Sequence, residues 1–178
     1  MREFPVIETE RLVLSQLEET DLPYIVEYLQ EKVFSKLTAN IPYPYSEKDA
    51  EFWLKSSREA FENQSGYIFA IRDKSRKIIG TIGVHDRGDD KAELGYWLAV
   101  PFWNKGYVTE AALAVVEFAF KELGYNKIFA THFFHNPSSG RIMEKIGMQQ
   151  EAVLKQHLKK DGEYFDIPMY SIFKNKYL

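Results

Sequence analysis

The chain has 178 residues, the size of one compact domain, and its hydrophobic share of 45% and charged share of 28% exclude a disordered chain as the default. A net charge of −3 argues against free nucleic acid as a partner, and the lack of cysteine excludes disulfides, thiolate metal sites and a cysteine nucleophile. No stretch has the character of a secretion signal or a membrane span, so we predict a single cytoplasmic domain over residues 1–178 with no membrane partner.

The first half of the chain predicts one strand, two helices and then three strands in a meander. Ser46 and Asp49 form a capping-box pattern that starts the second helix, and Pro42 and Pro44 keep the segment before it in an extended loop. The predicted bounds are 10–17 for the first strand, about 20–30 and 46–63 for the helices, and 67–71, 77–84 and 92–100 for the meander.

The second half of the chain alternates helix and strand. Leu113, Val116 and Phe120 recur on one helical stripe that Gly124 closes. The predicted bounds are 109–123 and 137–146 for the helices, 127–133 for the strand between them, and two terminal strands on either side of a turn at 159–162. The fold class is therefore α/β of the α+β kind, with a mixed sheet of about seven strands and helices on both faces.

The segment from 101 to 110 joins a strand to a helix and carries Gly106 in the turn. In such a turn successive N–H groups and the positive helix end converge on one point, which suits a pyrophosphate. Lys105 adds a mobile positive charge and Thr109 a hydroxyl, while Val100-Pro101 marks the place where strand pairing stops. A plain connector is the competing interpretation of the glycine.

The segment from 135 to 148 begins a short helix, with Asn136 as the N-cap and Pro137 at the first helical position. Ser138 and Ser139 fall in the first turn, where the helix dipole favours negative charge. A hydroxyl there could donate a proton to a departing thiolate. Simple helix capping is the alternative interpretation of the same residues.

Four segments carry a resemblance to a known family: AELGYWL at 92–98, WNKGYVTEA at 103–111, NPSS at 136–139 and EKIGM at 144–148. Together they resemble the GNAT acetyltransferase superfamily, and more narrowly its ribosomal-protein N-acetyltransferase (RimJ/RimL-like) branch. The similarity runs in order from 8 to 170 and covers nearly the whole chain. It implies a GNAT-like sheet that splays between its fourth and fifth strands, and acetyl-CoA as cosubstrate with no metal.

The resemblance also implies which residues hold acetyl-CoA. The end of a strand would hold the pantetheine arm, the turn after it the pyrophosphate, and the short helix would begin near the thioester. The implied cofactor-binding residues are Leu98, Ala99, Val100, Lys105, Gly106, Tyr107, Val108, Thr109 and Asn136. The family turn usually has Gly or Ala where this chain has Val108, so we expect some crowding of the phosphate.

The implied reaction is direct attack of a neutral primary amine on the thioester carbonyl, with no covalent enzyme intermediate. Glu93, on the strand beside the cleft, is the first candidate base, and an ordinary strand carboxylate is its equal alternative. Ser139 is the candidate acid toward the thiolate, with helix capping as its alternative. Tyr96 and Tyr107 are further candidates for a catalytic role, although a buried tyrosine usually only satisfies its own hydroxyl. The histidines show no metal-ligand spacing.

Tyr43 and Tyr45, with Phe34 and Trp53 nearby in sequence, form a candidate acceptor wall, and packing of the loop onto the helix is the alternative. The branch that acetylates an N-terminal serine has a glutamate where we align Leu158. That departure weakens assignment to that particular substrate.

Three functions stay open. The first is acetylation of a protein N-terminal α-amine, as in the ribosomal-protein branch. The second is acetylation of a small amine such as a polyamine, amino acid or antibiotic. The third is a non-catalytic acyl-CoA-binding module. Apolar strands near the C-terminus make a homodimer a reasonable expectation.

Overall fold

The computed structural model describes residues 2–177, which fold around one sheet. Its strands are β1 (Ile7–Glu8), β2 (Val13–Gln16), β3 (Gly66–Arg72), β4 (Ile78–Asp86), β5 (Lys91–Leu98), β6 (Lys127–Thr131), β7 (Gln149–Lys160) and β8 (Glu163–Phe173). The helices are α1 (Leu22–Leu29), α2 (Val33–Leu37), α3 (Glu47–Glu62), α4 (Tyr107–Lys121), α5 (Pro137–Lys145) and α6 (Lys174–Tyr177).

The sheet has eight strands in the order β1-β2-β3-β4-β5-β6-β8-β7. All neighbouring pairs are antiparallel except β5 and β6, which run parallel. The prediction of a mixed sheet is confirmed, with one strand more than expected. The additional strand is β1, whose two residues are too few to show any periodicity.

The predicted splay between the fourth and fifth strands falls between β5 and β6 once β1 is counted. The two strands pair only from Lys91 opposite Lys127 to Glu93 opposite Phe129, although β5 continues to Leu98. Beyond Glu93 the two strands part, and the sheet opens.

Local sequence signals set most of the elements. Ser46 caps α3 as predicted: its hydroxyl oxygen accepts from the amide of Asp49 at 3.3 Å, and the Asp49 carboxylate accepts from the Ser46 amide at 2.7 Å. The loop before α3 departs from the prediction at one place, because it contains the five-residue helix α2. That helix lies upstream of Pro42 and Pro44, so the prolines do not oppose it.

Two hydrophobic clusters lie on opposite faces of the sheet. One packs α4 onto the central strands and includes Val116, Phe120 and Ile82. The other packs α1 and α3 onto the opposite face and includes Ile68 and Trp97. Every residue of β3 is buried, as expected of a strand that is covered on both sides.

Within residues 2–177, no helix has the length and apolarity needed to cross a membrane. The same described range holds no cluster of three or more His, Cys, Asp or Glu side chains suited to a metal ion.

Candidate functional site

A cavity of about 1140 Å³ runs through the opening between β5 and β6. It reaches the N-terminus of α4 at one end and the loop between α1 and α3 at the other. We call these the cofactor end and the acceptor end. Gly106, Glu93 and Tyr45, which were predicted for the cofactor turn, the catalytic base and the acceptor wall, all line this one cavity. The structure therefore brings these three residues together in one cavity.

The edge of β5 supplies main-chain groups to the opening. The amide of Ala99 donates to the carbonyl of Ile79 on β4 at 2.8 Å, so the alternation of a strand turns the amide of Leu98 toward the opening. The Leu98 carbonyl already accepts from the Trp103 indole at 2.6 Å. Leu98 therefore offers its amide and the second lone pair of its carbonyl, rather than a fully free carbonyl.

The N-terminus of α4 presents unpaired amides to the cofactor end. Gly106 is the N-cap in the left-handed conformation, with φ of +78°, and Asn104 is also left-handed, with φ of +60°. No side chain caps the helix within the described residues. A curl of main chain followed by uncapped helical amides is a common anion site. Val108 is buried in the α4 cluster, so its methyl groups face the core.

Arg11, between β1 and β2 at one edge of the sheet, connects that edge to this turn. The sequence prediction missed this residue. Its guanidinium donates to the Lys105 carbonyl at 2.8 Å and to the Glu110 carboxylate at 2.6 Å, and lies 4.6 Å from the centre of the Tyr107 ring. The partners are 94 or more residues away in sequence, so spacing carries no signal of the contact. Lys105 itself donates to the Pro101 carbonyl at 3.0 Å.

The Glu110 carboxylate fixes Arg11 and Thr9 together. Burial alone would raise its pKa, but hydrogen bonds from Thr9 and from the amide and guanidinium of Arg11 outweigh burial and lower the pKa. The ionised form is thus stabilised in the folded protein. The ion pair of Glu110 with Arg11 holds the cofactor turn against the N-terminal strands.

Ser139 and Tyr96 meet across the opening. The Tyr96 hydroxyl lies 2.8 Å from the Ser139 hydroxyl and 3.2 Å from its carbonyl oxygen. Burial raises the pKa of Tyr96 to about 12, and the hydrogen bond with Ser139 opposes that shift more weakly. The phenol therefore stays protonated at neutral pH. Asn136 caps α5 by accepting from the Ser139 amide at 3.4 Å, which is the capping role given by sequence.

The last turn of α2 is bound by donors from two distant segments. The Lys160 ammonium donates to the carbonyls of Ser35 and, at 2.5 Å, of Thr38. His135 donates to the Lys36 carbonyl at 2.7 Å. Asn136 donates to the Leu37 carbonyl at 3.3 Å. Four consecutive carbonyls, three from α2 and one from the residue after it, are thus held in place at the acceptor end.

Several aromatic side chains line the cavity at the acceptor end. They are Phe34, Tyr45, Phe52, Trp53, Trp97 and Phe133. Tyr45 is only 6% exposed, and burial raises its pKa to about 12. Tyr43 does not line the cavity; it is 50% exposed, with the Lys32 ammonium 5.6 Å from the centre of its ring. The structure thus brings one of the two predicted tyrosines to the cavity and not the other.

Two strands form the polar wall of the acceptor end. Glu93 on β5 accepts from Arg87 at 2.7 and 2.9 Å, both bonds to the same oxygen. His85 on β4 is directly opposite Glu93 in the strand register and also lines the cavity. Burial, followed by the charge of Arg87, lowers the pKa of His85, and Glu93 opposes them. His85 is a second residue that sequence analysis did not select.

The fold and the site together define a class. A mixed sheet that opens between parallel strands beside an uncapped helix N-terminus is the architecture of an acyl-CoA-dependent acyltransferase. A sequence profile described as an acetyltransferase (GNAT) domain matches residues 11–149. The chain belongs to the GNAT acetyltransferase family and is an acetyl-CoA-dependent N-acetyltransferase, which confirms the resemblance and sets aside the non-catalytic module.

Comparisons over the whole chain agree. The uncharacterized N-acetyltransferase YoaA of Bacillus subtilis is 30% identical over 96% of this chain and 98% of its own length. The structure of RimL, a ribosomal L7/L12 α-N-protein acetyltransferase in complex with coenzyme A, superposes with a TM-score of 0.86 at 16% identity, covering 95% of this chain and 98% of RimL. Spermidine N-acetyltransferase of Vibrio cholerae, in complex with CoA and spermine, gives 0.81 at 21% identity, with coverages of 95% and 99%. The last two likenesses show the fold alone.

Proposed function

We propose that this protein transfers the acetyl group of acetyl-CoA to a protein N-terminal α-amine by direct attack of the amine on the thioester. The observation that carries the proposal is the continuous cavity that joins the uncapped N-terminus of α4 to an aromatic chamber through the gap in the sheet. A long, narrow thioester and a separate acceptor need such a passage to meet.

The hydrogen-bond donors at the cofactor end suit the groups of acetyl-CoA. The first-turn amides of Tyr107, Val108 and Thr109, with the Lys105 ammonium, would bind the diphosphate. The exit of β5, from Leu98 through Ala99 to Val100, would pair with the amides of the pantetheine arm. Asn136 and Ser139 would lie near the thioester, where α5 begins. A first-turn position also favours the negative charge of a thiolate.

The chemistry requires a group that draws a proton from the amine and one that meets the departing sulfur. Glu93 is our first candidate for drawing the proton, through water, because it lines the acceptor end. Ser139 is the candidate for the sulfur, because this buried residue lines the cavity and its hydroxyl is in contact with the Tyr96 hydroxyl. Either hydroxyl can be the donor in this contact; when the phenol donates, the serine proton is free to point at the thiolate.

The composition of the acceptor end favours a peptide over a polyamine. Two carboxylates, Asp49 and Glu93, are the acids of the cavity wall in the described chain, and each already accepts hydrogen bonds, from Ser46 and Arg87. A polyamine carries several positive charges, each of which needs a partner on entering a cavity. An α-amine carries one charge and is followed by a side chain that aromatic walls accommodate. Leu158 also lines the cavity, so the wall has no acid there.

We propose further that the acceptor is a ribosomal protein in the cytoplasm, in keeping with the likeness to RimL, and that the enzyme is a homodimer. β7 supports the dimer, since it forms one edge of the sheet and is largely exposed. Light scattering on the purified protein tests it: a monomer mass would contradict the dimer without affecting the acetylation chemistry.

A turnover screen tests the function. Free-thiol release from acetyl-CoA is measured with a panel of N-terminal peptides and a panel of small amines, including spermidine. We expect release with peptides and none above background with spermidine. Release with small amines alone would move the acceptor to the small-molecule class, and release with no acceptor of either kind would contradict the proposal.

A further inference from the structure

His85 is the only imidazole on the polar wall that β4 and β5 form at the acceptor end, as far as residues 2–177 show, and its position on the strand explains how it comes to face the cavity. Its register partner on β3 is Gly66, and a Cβ built on Gly66 would meet the His85 Nδ1 and the Ala60 Cβ, both at 3.3 Å. Ala60 belongs to α3, so the imidazole lies on the face of the sheet that α3 covers. Its partner on β5 is Glu93, which shares that face.

The hydrogen bonds on this wall are unequally distributed. One oxygen of Glu93 is occupied by two donors of Arg87. The imidazole of His85, in contrast, has no hydrogen-bond partner among residues 2–177. A neutral imidazole has one unprotonated nitrogen that can accept a proton. Two accepting groups next to the aromatic chamber are therefore free: one nitrogen of His85 and the second oxygen of Glu93, whose carboxylate is already paired with the Arg87 guanidinium.

The charges that act on the imidazole are those of Arg87, from the end of its own strand, and Glu93, from β5. β3 contributes Gly66 and α3 contributes Ala60, which are both uncharged. Burial and Arg87 favour the neutral form and Glu93 favours the protonated form. The histidine thus rests neutral at neutral pH, and a carboxylate lies opposite it to stabilise an imidazolium.

We propose that His85 accepts the amine proton during acetyl transfer and that Glu93 is a positioning residue that stabilises the imidazolium. The inference rests on the proposed function and refines the part of Glu93 in it. As the nitrogen–carbon bond forms, the amine proton passes to the imidazole, directly or through one water. The carbon–sulfur bond breaks and its electron pair leaves on the sulfur. The imidazolium then returns its proton to solvent, and the thiolate takes one up.

The dependence of kcat on pH, with a saturating peptide acceptor, tests this assignment. In the wild type, kcat falls as the pH decreases through the pKa of His85, so the midpoint lies below the ordinary histidine value of 6.5. His85→Gln lowers kcat about 100-fold at neutral pH and removes this acid limb. Glu93→Gln keeps the limb and moves it to lower pH. Arg87→Met keeps the limb and moves it to higher pH.

His157→Gln is the matched control, because His157 lies on exposed β7 and does not line the cavity. We expect it to leave kcat and the acid limb unchanged. Circular dichroism and the acetyl-CoA affinity of His85→Gln, measured by calorimetry, should both match the wild type. If Glu93→Gln removes the limb while His85→Gln keeps it, Glu93 is the base and the inference is overturned.

The titration of His85 itself gives a readout that does not require turnover. The proton and carbon resonances of its Cε1 group, assigned by comparison with His85→Gln, should titrate below 6.5 in the wild type. The midpoint should fall in Glu93→Gln and rise in Arg87→Met; a midpoint that neither substitution moves overturns the inference. A wild-type protein that acetylates no amine overturns the proposed function as well, whereas an active one with an unaltered profile in His85→Gln overturns the inference alone.

Discussion

The two ends of the cavity are built in different ways. The cofactor end is mainly main chain from one continuous segment, which runs from the last residues of β5 through the turn into α4. The acceptor end consists of side chains from α2, α3, β4, β5 and the β7–β8 hairpin, which are distant in sequence. A main-chain site depends on a few conformations, whereas a side-chain site depends on many contacts. We therefore expect substitutions at one end to leave the affinity at the other end unchanged.

The largest effect at the cofactor end is expected from Gly106→Val. A β-branched residue opposes the φ of +78° and brings a side chain to the phosphate turn. We expect the acetyl-CoA affinity to fall at least about tenfold, which corresponds to about 1.4 kcal/mol. Calorimetry measures it.

Gly124→Val is the control for strain. Gly124 follows the same helix, has φ of +79°, and has open space where a Cβ would lie. The variant should lose stability to a similar degree and keep the acetyl-CoA affinity of the wild type. Equal loss of affinity in both variants would mean that general destabilisation, not the turn, governs binding.

Tyr96→Phe tests the junction between the two ends and should have the next largest effect. Removing the phenol releases the Ser139 hydroxyl, so kcat should fall about fivefold to tenfold while the KM for acetyl-CoA stays constant. Tyr125→Phe removes another buried phenol away from the cavity and should leave kcat unchanged. If kcat is unaltered in Tyr96→Phe, the contact between Tyr96 and Ser139 serves the structure and not the catalysis.

Lys160→Met should affect the acceptor end alone. The Lys160 ammonium donates to one carbonyl of α2 and to the carbonyl of Thr38, which follows α2. Without these two hydrogen bonds, the part of the cavity wall that carries Phe34 becomes less ordered. We expect the KM for the peptide to rise about threefold to fivefold and the acetyl-CoA affinity to stay constant. Lys159→Met, on the neighbouring residue, is the control. A change in acetyl-CoA affinity would show that the two ends are coupled.

The smallest effect concerns Glu110, which stabilises the cofactor end of the fold. Its pKa is lowered in the folded protein, so its contribution is present above the ordinary value of 4.5 and is lost as the pH falls through the folded value. Glu110→Gln should therefore be less stable than the wild type by about 1 kcal/mol near neutral pH and equally stable in strong acid. Urea unfolding across the acid range measures this. Glu51→Gln, on the exposed face of α3, is the control and should match the stability of the wild type near neutral pH.

The same difference between the two ends explains what the sequence could predict. The helix starts at Gly106 and Asn136 were predicted correctly because the conformation at each helix start follows from neighbouring residues. Arg11 and His85 were missed because their roles come from contacts with residues far along the chain or on adjacent strands. Tyr45 was a candidate for the acceptor wall with packing of the loop as the alternative, and it is buried at the cavity, whereas Tyr43 lies outside it. Packing of this kind has no local pattern.

Hydrogen exchange with and without acetyl-CoA tests the central claim most directly, because it reads the main-chain amides themselves. We predict slower exchange on binding at Tyr107, Val108 and Thr109 in the first turn of α4 and at Leu98 on the edge of β5. Unchanged exchange at these four amides, with acetyl-CoA bound and protection elsewhere in the chain, would contradict it.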